Sequence, residues 1–355
     1  MRLTALSGLG TKGPACFLLE IAGRRLMLDL GKGPDGDTLP DLTGVGPVDA
    51  ILFSHGHADH TGGLPLAVRL GDPPLFAPEP AIALSRDPAM KTARPLAAFA
   101  QFGLPFDCGP AGHAPGACWM RIGGDGGMVY TGDVSAESTL YRGTLPPPAR
   151  VMVFDASYGA ADEPLADQVA DLLTLAERPL LLPAPAGGRG LEMALAFRAA
   201  GHRVSICAAH RAVAGAMADR PDWLVPGGAG ALGRLLAEAG TLTPDGPVSG
   251  VMVAAGPNAE RDTAAALARR MIAEGSGRVV FTGHLARGTP APGWVAAGSA
   301  LFRRWNVHPT LSGLRDLFGA VRPAQAMPAF CAPEASAGLA AALGRPLVTT
   351  PEVVW

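Results

Sequence analysis

Short apolar runs broken by glycine turns open the chain. Leu3 to Leu9, Ala15 to Ile21 and Arg25 to Leu30 are separated by Gly10 to Gly13 and by Ala22-Gly23, a pattern that predicts antiparallel strands. Val48 to Phe53, bounded by Pro47 and Ser54, predicts a short buried strand. Gly63 to Leu70 reads as helical, and Pro80 to Phe102 as one or two further helices. Cys118 to Ile122, a glycine-rich turn at Gly123 to Gly127 and the run from Met128 predict a hairpin, and Val151 to Asp155 another strand. From about Asp162 the pattern becomes an α/β alternation. Its strands are predicted near Pro179 to Pro183, Val204 to Ala208, Ser249 to Ala255 and Gly277 to Thr282. Its helices are predicted near Leu165 to Ala176, after Gly187 as far as Ala200, and near Leu232 to Glu238 and Glu260 to Ala273. A helix from Ser336 and a strand at Val348 to Pro351 close the chain.

A chain of 355 residues with 48% hydrophobic content has enough apolar material for two domains or one large α/β unit. Glycine and proline, 47 and 34 residues, are spread among apolar segments rather than gathered into low-complexity tracts, so disorder is not indicated. The formal charge of −2 argues against a protein that grips long stretches of phosphate backbone. The five cysteines form no C-x-x-C pair, which fits reduced thiols and a cytoplasmic location. Neither a signal-peptide h-region nor a membrane-length apolar run is present.

The chemistry is concentrated at His55-Gly-His57-Ala-Asp59-His60. Two histidines two apart in extended chain point the same way and can share one ion. Asp59 and His60 follow where the chain turns, aimed at a second position. Imidazole with carboxylate suits zinc, and manganese or iron less specifically.

This segment resembles the H-x-H-x-D-H signature of the metallo-β-lactamase superfamily. Later segments resemble its nucleic-acid-processing β-CASP branch, which includes RNase J and the endonuclease subunit of the polyadenylation specificity factor. Leu28-Asp29-Leu30-Gly31 is similar to "L-D-x-G"; Asp29 is either the partner of a metal-bound histidine's far nitrogen or a turn-forming aspartate. Gly112-His113 and Tyr130-Thr-Gly-Asp133 are similar to "G-H-x-x-G" and "Y-T-G-D-x-S". Phe154-Asp155-Ala-Ser157-Tyr-Gly resembles the branch's acidic motif, with Asp155 as the acid. Gly188-Arg189 to Glu192 resembles "G-R-x-x-E", Phe281 to Thr289 resembles "F-T-G-Y-x-x-x-G-T" with His284 for tyrosine, and Trp305 to His308 is similar to "F-S-A-H-x-D".

The resemblance implies an αββα metallo-β-lactamase sandwich made of residues 1–161 and 291–355, with an α/β β-CASP domain, residues 162–290, inserted so as to cap the metal cleft. It implies two zinc ions roughly 3.5–4 Å apart. His55, His57 and His113 would hold the first, Asp59 and His60 the second, and Asp133 would bridge them. Asp59, Asp155 and His308 would be catalytic, with His308 giving a proton to the leaving oxygen. Arg189, His284, Gly288 and Thr289 would bind substrate.

The implied activity is a metal-dependent phosphodiester hydrolase, a ribonuclease or single-stranded DNA nuclease working through a zinc-bound hydroxide. Its partner would be RNA or another single-stranded nucleic acid, with no membrane; a homodimer is compatible with it. One departure weakens the second metal: where the family has "P-V-H-G-E", this chain has Met327-Pro-Ala-Phe330-Cys331, and a phenyl ring cannot ligate zinc. Two other readings remain open: a catalytically impaired homologue that binds nucleic acid or protein, and a small-molecule metallo-hydrolase.

Overall fold

The structure, a computed structural model, describes residues 1–36 and 38–355. The chain divides into two compact units: residues 1–136, 142–162 and 308–355, and residues 137–141 with 163–307.

Among the described residues of the first unit, two sheets supply the scaffold. One is seven-stranded, in the order Glu352–Val354, Arg2–Ser7, Cys16–Ile21, Arg24–Leu28, Ala50–Leu52, Leu75–Ala77 and Arg94–Pro95. Its first four strands are antiparallel, as the glycine-punctuated opening predicts, and from Arg24–Leu28 onward the neighbours are parallel. The other is five-stranded, in the order Gln325–Ala329, Val151–Asp155, Met128–Tyr130, Cys118–Ile122 and Phe106–Pro110. The strand carrying Val151 to Asp155 is buried along its whole length between parallel neighbours, which is why it reads as an unbroken apolar run.

Apolar faces of the two sheets meet, for example where the rings of Phe17 and Tyr130 lie 5.5 Å apart. Helix Leu311–Val321 buries Leu314, Leu317 and Val321 against Met152 and Phe154. This is the mixed α/β sandwich read from the sequence. The closing strand comes later than predicted, at Glu352–Val354. The region 80–102 is mainly short 3-10 turns around one six-residue helix, because its prolines and alanines give no sustained amphipathic stripe.

Among the described residues, the second unit is a parallel six-stranded sheet in the order Gly240–Leu242, Val204–Cys207, Val251–Ala255, Leu180–Ala184, Arg278–Phe281 and Leu301–Phe302. It runs on to Val307, past the boundary at 290 drawn from sequence. Helix Pro290–Ala296 and strand Leu301–Phe302 extend its sheet and core, Ala291 and Ala300 being buried beside Phe281. Residues 137–141 also pack here: Glu192 Oε1 accepts from Ser138 Oγ at 2.6 Å and Thr139 N at 2.9 Å.

Burial pushes the Glu192 carboxyl up to about 7 despite those hydrogen bonds. A carboxyl whose folded pKa lies above its ordinary value, 4.5, contributes stability at low pH that is lost as pH rises through the folded value. Glu192→Gln keeps an acceptor oxygen and cannot ionise. It is therefore expected to gain about 3 kcal/mol on the wild type between pH 4.5 and 8. Thermal unfolding of both proteins at pH 5 and pH 8 checks this; a glutamine variant that loses ground at pH 8 would mean the carboxylate is stabilised in its charged form.

No helix among the described residues is long and apolar enough to cross a membrane.

Candidate metal centre

The ligand-bearing segment follows strand Ala50–Leu52. His55 extends from its end, His57 caps the one-turn helix Ala58–Thr61, and Asp59 and His60 lie within that turn. Backbone hydrogen bonds lace this segment to the loop after Arg24–Leu28 and to Ala15, just before strand Cys16–Ile21. Leu30 N donates to His60 O, Lys32 N to Ala58 O, Gly63 N to Leu30 O, and Ala15 N to Asp59 O. Gly31 allows the approach: a Cβ there would stand 1.7 Å from the carbonyl oxygen of Asp59, a clash with backbone that no rotamer relieves. At Gly132, φ is +54° and a Cβ would meet Ser54 at 2.5 Å, so glycine lets the chain pass close enough to present Asp133.

One ligand atom from each of His55, His57, His113 and Asp133 lies within 4.8 Å of the others. The rings of His57 and His113 are 5.0 Å apart and each is about 5 Å from that of His55. A second set, Asp59, His60 and Asp133, shares the aspartate, and so does a third, Asp133, Asp155 and His308.

Hydrogen bonding fixes the proton positions. Asp29, fully buried at φ +56°, accepts from Ser54 N and Ser54 Oγ at 2.7 Å, from Tyr130 OH at 2.5 Å and from His60 Nδ1 at 2.7 Å. Because Ser54 spends its proton on Asp29, its oxygen accepts from His55 Nδ1 at 3.1 Å. His55 Nε2 is thereby left with a lone pair. It is buried without a hydrogen-bond partner among the described residues, as is Asp133 Oδ1, and buried polar atoms of this kind call for a ligand. Burial, then the His60 and His57 rings, push the His55 pKa well below its ordinary value, keeping it neutral as a metal ligand must be. His60 holds its proton on Nδ1 for Asp29 and turns Nε2 to Asp133 Oδ1 at 3.3 Å. Burial disfavours charge on both, yet Asp133 and Asp29 push the His60 pKa well up, and the His60, His308 and His113 rings push that of Asp133 well down. Donor chemistry and orphaned atoms together fit a divalent cation at His55, His57, His113 and Asp133.

The Asp59–His60–Asp133 set fits less well. It brings three side chains, one of them shared, and Phe330 lies against it with its ring 5.1 Å from that of His60. Phe330 has a φ of +64° and donates its backbone N–H to Gly8 O at 2.7 Å.

Asp155 and His308, 153 residues apart, form a buried pair: His308 Nδ1 lies 2.7 Å from Asp155 Oδ2. The residue two beyond His308, where the motif has aspartate, is Thr310. It caps helix Leu311–Val321, accepting from Gly313 N. Lys12 carries no motif and is missed by sequence reasoning. Its ammonium donates to Ser157 Oγ at 2.9 Å and to His308 Nε2 at 3.2 Å. Burial opposes that charge, but Asp133, Asp155 and Asp59 outweigh it and raise the pKa.

The first unit thus brings together every predicted metal ligand with Asp155 and His308. Arg189, His284, Gly288 and Thr289 belong to the second unit. There Arg189 is buried and donates to Thr282 Oγ1 at 2.9 Å, and the Thr289 hydroxyl donates to Ala286 O at 2.6 Å.

Residues 9–182 match the model of the metallo-beta-lactamase superfamily. The chain carries a domain of that superfamily. A transcription termination factor FttA of Cenarchaeum symbiosum is 28% identical over 243 residues, 54% of this chain and 38% of that one. The ribonuclease TTHA0252 of Thermus thermophilus is 29% identical over 233 residues, 54% of this chain and 53% of that one. The match therefore spans about half or less of the length of these relatives. A solved structure, a protein of unknown function from Enterococcus faecalis, superposes with a TM-score of 0.54 over 94% of this chain and 95% of its own at 13% identity, a likeness of fold alone. The metallo-beta-lactamase match ends before His308 and Phe330.

Proposed function

We propose that the protein is a zinc-dependent phosphodiester hydrolase that cuts RNA. The observation that carries this reading is the buried His55 Nε2, without a hydrogen-bond partner among the described residues, grouped with His57, His113 and Asp133, with the Asp155–His308 pair beside it. The matched segment of a relative named as a ribonuclease supports the choice of bond.

His55, His57, His113 and Asp133 would hold the zinc. When bound, it supplies Lewis acidity, lowering the pKa of a water and offsetting charge on the phosphoryl group. Asp59, half-buried beside His60, accepts the proton of the attacking water. His308 is oriented through Nδ1 by Asp155, so a proton bound for the leaving oxygen passes through Nε2, and Asp155 stabilises the ring while it is charged. The second unit would serve as the β-CASP domain, with Arg189, His284, Gly288 and Thr289 as its candidate substrate-binding residues.

Zinc-loaded protein incubated with end-labelled single-stranded RNA is expected to cut it, with single-stranded DNA as the second substrate, and His57→Ala is expected to abolish cutting. Identical behaviour of wild type and His57→Ala on both substrates refutes the proposal.

A further inference from the structure

The neighbourhood of Asp133 contains a cation that the chain itself provides. Lys12 reaches from the loop after the first strand to Ser157 Oγ and His308 Nε2. Burial opposes its charge, and the charges of Asp133, Asp155 and Asp59 offset that cost. Two of these, Asp59 and Asp133, are the carboxylates of the second candidate metal set. That set is also the one flanked by Phe330, which stands where the resembled motif has a histidine. A chain lacking the imidazole for a second ion, and carrying a buried ammonium whose charge those same carboxylates offset, has one cation too many for two metals and enough for one.

We infer that Lys12 replaces the second metal ion, making this a centre of one zinc and one lysine, with Lys12 as a catalytic group that neutralises charge on the phosphate. The geometry suits the task. An ammonium has three N–H donors and no acceptor. Among the described residues, Ser157 and His308 take two of them, leaving one for a phosphoryl oxygen. Unlike a metal ion, the lysine is fixed in position by its hydrogen bonds and needs no loading. A donor preorganised where negative charge develops contributes on the order of 10²–10³ in rate. When Nε2 carries the proton meant for the leaving oxygen it no longer accepts from Lys12, which frees a second ammonium N–H for the phosphate.

Zinc counting on the full-length protein tests this without reference to any substrate. After loading with excess zinc and desalting, elemental analysis is expected to give one zinc per wild-type chain, and two per chain in the double variant Lys12→Met/Phe330→His. Two zinc ions per wild-type chain, or one in the double variant with its thermal unfolding unchanged, overturns the inference. Only the rate measurement rests on the proposed function: Lys12→Met, near-isosteric and uncharged, is expected to keep one zinc and cut RNA on the order of 10²-fold more slowly. Wild-type rates in that variant also overturn it. Should zinc-loaded wild type cut neither RNA nor DNA, the nuclease reading fails, while the zinc count still decides the role of Lys12.

Discussion

Asp29→Ala is expected to destabilise the first unit by on the order of 5 kcal/mol. The carboxylate is buried and takes four hydrogen bonds, two from Ser54 and one each from Tyr130 and His60. Alanine leaves the Ser54 amide, the Tyr130 hydroxyl and His60 Nδ1 without an acceptor, each orphaned donor costing roughly 1–3 kcal/mol. It also places a residue without a local hydrogen-bonding side chain at φ +56°, a further 1 kcal/mol or so. Zinc affinity is expected to fall about 10–100-fold with it, since Ser54 then no longer fixes which nitrogen of His55 is free. Chemical denaturation and zinc titration measure the two effects. Asp29→Asn separates them, because it retains one acceptor oxygen for the Ser54 amide while losing the charged acceptor for His60. Equal stability of the alanine variant and the wild type would show that this network is dispensable.

The second large effect concerns rate. His308→Ala is expected to lower kcat for RNA cleavage about 10²–10⁴-fold, the range for loss of a positioned proton-transfer group. The zinc count should stay unchanged, because His308 is outside the His55–His57–His113–Asp133 set. Single-turnover cleavage at saturating substrate, with elemental analysis of the same preparation, checks both. A loss confined to KM would assign His308 to substrate binding instead.

The sequence makes the strand Val48 to Phe53 and the ligands at its end readable because the apolar run, its boundaries and the histidine spacing are all local. Asp155 and His308 are legible only through motif resemblance, since nothing in their surroundings announces a partner 153 residues away. Helix Ala208–Ala218 has no sequence prediction: its run of alanines around Arg211 and Gly215 forms only a weak apolar stripe, and tertiary burial of His210, Val213, Ala214 and Met217 decides it. Helix Leu311–Val321 is hidden behind Pro309 and Thr310, which read as a damaged motif and act as its entry and cap. Lys12 sits between turn residues, where a lysine is ordinarily a solvated side chain. Only the approach of Ser157 and His308 from distant loop segments gives it a role, and no local pattern encodes that approach. Phe330 is the converse case, a departure visible in sequence whose meaning depends on the ring of His60 beside it.

The backbone lacing between residues 29–33 and 57–63 also bears on metal exchange. A loop that is loose without its ion must be ordered each time one binds, and that entropy is subtracted from affinity. Here the carbonyls of Ala58, Asp59 and His60 are each held by an amide from another segment, so the ligands are ordered by the fold itself. Metal capture would then resemble filling a rigid chelator, with chelation and reloading cycling the ion through a scaffold that stays folded. The ion's contribution to thermal stability would follow free metal concentration by mass action, with little accompanying change in shape.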